Sequence, residues 1–263
     1  MNNINVLYEK KNQVAYITID RPHVLNALDT ATHQELGLIW DDFEKDETLR
    51  LAVLSGSGNR SFSVGQDLKE LRAMMENKHE PSSFGSRNKP GSPRFTERFQ
   101  RTKPVIARVN GYAFGGGFEL VLASDIVIAS ETALFSLPEA KLGLIPGAGG
   151  VFRLSKQIPQ KIAMGYLLTA RNITANRAYE LGLINQVVSE ADLDSCVEHW
   201  VQDILRCAPL SIRSIKEAAE LAQGLSIEEA FKQEYHWEKK RIKSKDCLEG
   251  TIAFFESRKP IWE

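Results

Sequence analysis

Residues Asn110 to Glu119, Asn-Gly-Tyr-Ala-Phe-Gly-Gly-Gly-Phe-Glu, combine the types needed to hold an anion and to move a proton. Before them lies the mostly apolar run Pro104 to Val109, which reads as a buried strand. Helical spacing follows, with apolar Leu120 to Ala123 behind, so the glycines sit where a strand turns into a helix. The first N–H groups of a helix lack intrahelical partners and lie at the positive end of its dipole, and glycine lets a ligand oxygen approach the backbone. Glu119 falls three residues past Gly116, about one turn into that helix, where a carboxylate reaches the same cavity. An ordinary tight turn followed by an exposed glutamate has the same pattern, so this stretch decides nothing alone.

Two further stretches carry comparable chemistry. Phe62-Ser63-Val64-Gly65-Gln66-Asp67-Leu68 is a turn leading into a helix over about 67–76, with Asp67 as its cap and backbone N–H groups free to face a cavity. Pro138-Glu139 opens a second glycine-rich region that ends in Gly147-Ala-Gly-Gly150, and the proline fixes the backbone before the carboxylate. Neither Gly56-Ser-Gly58-Asn-Arg-Ser61 nor Gly147 to Gly150 has the dinucleotide spacing, and the latter lacks the lysine of a P-loop. His23, His33, His79, His199 and His236 are scattered without metal-ligand spacing, so no metal and no separate cofactor is expected.

The whole composition narrows the classes. At 263 residues with 43% hydrophobic content and a formal net charge of -1, the chain buries a large core and offers no global field for nucleic acid. The basic cluster Lys239, Lys240, Arg241, Lys243 and Lys245 has no aromatic residue within it and reads as a solvated helix face. Three cysteines, Cys196, Cys207 and Cys247, form no Cys-x-x-Cys pair and suggest reduced thiols in the cytoplasm. No signal-peptide layout or membrane-length apolar run is present, so no membrane association is expected.

The elements that must position these groups follow from periodicity. Strands are expected over 14–20, 51–54, 104–109, 125–129, 133–135 and 184–188. Helices are expected over 29–46, 67–76, 95–102, 114–123, 147–156, 162–169, 174–181, 191–207, 210–223, 226–243 and 246–257. Residues Asn77 to Pro93, rich in proline, glycine and serine, read as a mobile surface loop and a candidate lid. Strands with crossover helices, then helices only, describe an α/β core at 1–199 and a helical region at 200–263 that covers its own core or packs on another subunit.

Arg21-Pro22-His23-Val24-Leu25-Asn26-Ala27-Leu28, Phe62 to Leu68, Lys103 to Glu119 and Pro138-Glu139 to Gly150 resemble, in order and spacing, the four signatures of the enoyl-CoA hydratase/isomerase (crotonase) superfamily. That resemblance spans nearly the whole chain. It implies a spiral core of repeated ββα units, a C-terminal helical trimerisation region, a homotrimer or a hexamer of two stacked trimers, and an acyl-CoA thioester as substrate. The family's oxyanion-hole N–H groups fall on Val64 and Gly116. Its two hydratase carboxylates fall on Glu119, which orients and deprotonates water, and Glu139, which gives a proton to Cα. Keeping both glutamates favours a hydro-lyase over an isomerase or a non-catalytic acyl-CoA-binding relative, and the near-neutral charge argues against an RNA-binding one. The wording around Glu119 and Glu139 is especially similar to carnitinyl-CoA (crotonobetainyl-CoA) dehydratases.

Coenzyme A contacts implied by the same resemblance fall on His23, Val24, Leu25, Ser63, Gly65, Gln66, Asp67, Leu68, Gly115, Pro138 and Gly147. Many relatives have lysine where His23 stands. Arg258 and Lys259 lie near where relatives supply a basic residue to a neighbouring subunit, with Ser257 at the matching position. Arg87, Lys89 and Arg94, in or beside the candidate lid, either disfavour a cationic acyl group there or meet the nucleotide phosphates instead.

Overall fold

The computed structural model describes residues 4–77 and 84–263. Two compact units divide the chain: one holds the described residues to Phe99 together with Val105–Val197, the other Gln100–Pro104 together with Glu198–Glu263.

The strands among the described residues all belong to the first unit. They are β1 (Val6–Lys11), β2 (Val14–Ile19), β3 (Leu51–Gly56), β4 (Ser61–Ser63), β5 (Val105–Val109), β6 (Tyr112–Phe114), β7 (Ile126–Ser130), β8 (Leu134–Ser136), β9 (Ile173–Thr174) and β10 (Gln186–Val188). The long sheet runs β1-β2-β3-β5-β7-β10, parallel except for the β1–β2 hairpin, and the short sheet runs β4-β6-β8-β9. Each successive strand pair, β3/β4, β5/β6 and β7/β8, places its first member in the long sheet and its second in the short one. Helices α1 (Thr30–Lys45), α2 (Leu68–Glu76) and α3 (Gly116–Ala123) follow β2, β4 and β6. The chain therefore climbs through both sheets by repeating a ββα step. β3 and β5 are apolar and buried along nearly their whole length, as strands covered on both faces must be.

Two asparagines stitch the repeats together. Asn26, fully buried and left-handed with φ 57°, donates from Nδ2 to the Ser57 and Ser61 carbonyls at 3.0 and 2.9 Å and accepts from the Arg21 N–H at 3.0 Å. Asn110 donates to the carbonyls of Gly56 and Gly58 at 3.0 and 2.6 Å. These bonds hold carbonyls from the last residue of β3 to the first of β4, where the chain leaves one sheet for the other.

The remaining helices are α4 (Gly150–Gln157), α5 (Gln160–Thr169), α6 (Ala175–Glu180), α7 (Leu193–Leu205), α8 (Pro209–Leu221), α9 (Ile227–Lys232), α10 (His236–Ile242) and α11 (Asp246–Phe255). Several depart from periodicity. The helix expected over 226–243 is broken, because Gln233 is extended and the Glu217 carboxylate takes the N–H groups of His236 and Trp237, starting a new helix. Residues 95–102 form only a 3-10 turn, Phe95–Glu97. Strands β1, β4, β6 and β9 stand where no strand was expected, and α4 starts only at Gly150. Within the second unit, Ser214 bonds Glu238 at 2.9 Å and Trp262 bonds the Arg206 carbonyl at 2.8 Å.

Candidate active site

Short strand β6 delivers the chain to Gly115, whose φ of 51° and ψ of -127° lie outside the regions open to residues with a side chain. A Cβ there would also begin 3.0 Å from Glu139 Oε1. At Gly117 a Cβ would stand 2.0 Å from the Ser63 carbonyl oxygen, so α3 begins pressed against the end of β4. The Val64 turn and the triple-glycine turn are thus neighbours, with the Gly65 Cα beside Gly116. Gly116, first residue of α3, has an N–H with no bond to a described residue. The Val64 N–H differs, because it donates to the Leu25 carbonyl at 3.2 Å. That is the long end of the N–H···O range, and an incoming oxygen competes with Leu25 for it.

Glu119, one turn into α3, is 3% exposed and accepts a hydrogen bond from the Gly150 N–H at 2.8 Å. Glu139 opens the 3-10 turn Glu139–Leu142, and its Oε2 is buried with no hydrogen-bond partner. Burial disfavours both charges and pushes each carboxyl from 4.5 up to about 7. On Glu119 the N–H groups of Gly150 and Ala148 pull the other way, and repulsion from Glu139 pushes further up. Repulsion of this kind acts on both members, so near neutral pH the pair holds one proton between them. The anchored Glu119 suits the anionic member, and the unpartnered Glu139 Oε2 suits the protonated one.

Both carboxyls line a cavity of about 170 Å³, room for a short acyl chain and water. Of the residues singled out from sequence, Val64, Gln66, Leu68, Gly115, Gly116, Pro138 and Gly147 line it as well. His23, Val24, Leu25, Ser63, Gly65 and Asp67 do not. Ser63 Oγ instead donates to the Asn26 carbonyl at 2.7 Å and accepts from the Gly65 N–H at 3.1 Å. Asp67 caps α2 and pairs with Arg21 at 3.2 Å, which fixes the turn from behind.

Part of the cavity lining was missed. His33, Trp40, Arg94 and Glu97 belong to it, beside Ser86 and Gly91. His33 was set aside for lacking metal-ligand spacing, yet His33, Leu36 and Trp40 share the cavity face of α1 at helical intervals. The His33 ring is 8% exposed, its Nε2 has no partner, and burial with the neighbouring Arg94 charge pushes its pKa down to about 3. Of the loop read as a mobile lid, residues 78–83 lie outside those described. The rest is largely exposed but touches the cavity at three points: Ser86 is buried, the Gly85 N–H bonds the Gly147 carbonyl at 2.9 Å, and a Cβ on Gly91 would lie 2.0 Å from the His33 carbonyl. Backbone contact of this kind makes it a cavity wall.

A family model described as enoyl-CoA hydratase/isomerase matches residues 9–263. The chain belongs to the enoyl-CoA hydratase/isomerase family. Carnitinyl-CoA dehydratase from Escherichia coli (strain K12) is 40% identical over 258 residues, covering 97% of this chain and 96% of that protein. The protein of the same name from Proteus mirabilis (strain HI4320) is 40% identical over 259 residues, covering 96% of each. Crystal structures of enoyl-CoA hydratase from Mycobacterium tuberculosis H37Rv and from Bacillus anthracis superpose with TM-scores of 0.86 and 0.88. Their identities are 35% and 32%, and the match covers 98% of this chain in both, with 98% and 99% of those chains. Membership in this family of enzymes, together with the α/β fold it shares, accounts for the alternating strand pairs and the helical C-terminal segment. Among the described residues no three His, Cys, Asp or Glu side chains stand at metal-binding separation, and no helix is long and apolar enough to cross a membrane.

Proposed function

We propose that the protein is a hydro-lyase adding water reversibly across the 2,3 double bond of an enoyl-CoA thioester. The observation that carries this reading is the pair of buried carboxyls in one cavity, both lifted to near neutrality, beside an unpartnered N–H at a helix N-terminus. In hydration, water oxygen bonds to C3 while Glu119 takes one of its protons. The π electrons of the C2–C3 bond shift toward the thioester oxygen, which gathers charge against the Gly116 N–H and the Val64 N–H, the latter drawn from the Leu25 carbonyl. Glu139 then delivers its proton to C2 as the thioester carbonyl re-forms. The pair begins and ends with one proton, exchanged between its members, and dehydration runs the same steps backward.

A second reading, carnitinyl-CoA dehydratase, is favoured by 40% identity to proteins of that name. It uses the same two carboxyls on a thioester bearing a trimethylammonium group. Purified protein given crotonyl-CoA and crotonobetainyl-CoA at matched concentration separates the two, followed by loss of enoyl-thioester absorbance. We further propose a homotrimer or hexamer, supported by the exposure of Phe231, Phe254 and Phe255 on the C-terminal helices, which sedimentation tests. Free, partly exposed cysteines support a cytoplasmic location.

A further inference from the structure

We propose that the end of the cavity formed by His33 and Arg94 binds a carboxylate at the far end of the acyl chain, so that the preferred substrate is the CoA thioester of a dicarboxylic acid. This rests on the acyl-thioester reading above. Arg94 lines the cavity, and its guanidinium makes no ion pair or hydrogen bond with a described residue and keeps its Nε buried without a partner. Beside it the His33 Nε2 is likewise buried and unpartnered. Burial disfavours the Arg94 charge, and the two acids nearest in effect, Glu97 and Glu70, answer it only from a distance. Neither forms an ion pair with Arg94: Glu97 Oε2 accepts from the Ser86 N–H at 2.8 Å while its Oε1 is buried without a partner, and Glu70 accepts from the Thr30 N–H at 2.9 Å. Lys89 stands close enough to repel Arg94, so these acids already have two cations to answer.

A planar guanidinium with open donors matches a carboxylate, and the neutral His33 tautomer with its proton on Nε2 supplies a further donor. A methyl terminus leaves both groups desolvated and unpaired. A trimethylammonium terminus brings a like charge to Arg94 and offers neither group an acceptor. The far end of the cavity therefore discriminates among acyl groups, whereas the glutamates and glycines act on the thioester end common to all of them.

Binding of unreactive saturated thioesters tests this without requiring turnover. Titration calorimetry compares glutaryl-CoA and adipyl-CoA with pentanoyl-CoA and hexanoyl-CoA of equal chain length, alongside 4-trimethylaminobutanoyl-CoA. At least one diacid thioester should bind about tenfold or more tightly than its methyl-terminated counterpart, as a hydrogen-bonded charge pair requires. In Arg94→Met that ratio should fall to within about twofold, and in Arg94→Lys it should survive in part. Arg94→Gln carries the same test if the methionine variant does not fold. Binding of the methyl-terminated thioesters with no diacid preference overturns this inference alone, as does a preference that persists in Arg94→Met or tighter binding of the trimethylammonium thioester. Failure of every thioester to bind overturns the proposed function with it.

Discussion

Glu119→Gln should cut activity by about a hundredfold or more and yet make the protein more stable in alkaline solution. The Glu119 carboxyl rises from 4.5 to about 7 on folding, so the folded state holds its proton more tightly than the unfolded chain. Its contribution to stability is full below about 4.5 and is lost as pH rises through about 7. At about 1.4 kcal/mol per pH unit, the loss reaches about 3.5 kcal/mol by pH 8.5. Glutamine has no such loss. Its carbonyl oxygen keeps accepting from the Gly150 N–H, while its NH2 group meets the Ala148 N–H at a pH-independent cost of about 1 kcal/mol. Urea unfolding of both proteins at pH 5 and pH 8.5 cancels that constant. The stability of the variant relative to wild type should grow by about 2 to 3 kcal/mol between the two pH values. A gap that stays constant within about 0.5 kcal/mol would mean that the folded site does not lift this carboxyl, and the shared-proton argument would go with it.

Gly117→Ala places a methyl 2.0 Å from the Ser63 carbonyl oxygen, a backbone atom that cannot step aside, so it should cost about 3 kcal/mol or more and show as a large fall in thermal midpoint. The neighbouring Gly116→Ala meets only ordinary contacts and should fold normally by the same assay. Asn26→Asp replaces a buried amide that donates to two carbonyls with a group that cannot donate when ionised. It should destabilise by about 3 kcal/mol at pH 8, measured by urea unfolding, and by less at low pH where the acid regains a donor.

The parts of the fold legible in the sequence were those governed by local chemistry. Asp29 caps α1 by accepting from the Thr32 N–H, and the apolar runs of β3 and β5 announced buried strands by composition alone. β4 and β6 were hidden because each is three residues long and exists through pairing with a strand some fifty residues away. The helix over 226–243 was overextended because nothing local forbids it; a carboxylate from α8 makes the break. Glu119 and Glu139 could be singled out by residue type and motif, and the glycines by their clustering. His33 and Arg94 come from a helix and a loop with no shared motif, so only folding brings them to one cavity. The engagement of Val64 by Leu25 was likewise invisible, since it depends on a left-handed residue in a distant turn.

Crotonyl-CoA hydration by the wild type, Glu119→Gln, Glu139→Gln and the double variant, each verified as folded, tests the central claim most directly. Wild type should consume the enoyl-thioester absorbance and yield 3-hydroxybutyryl-CoA. Each single variant should fall by about a hundredfold or more, and the double variant should fall little further, because the two carboxyls act as one unit. Near-normal rates in either single variant, or a wild type that leaves crotonyl-CoA and every other short enoyl-CoA untouched, would contradict it.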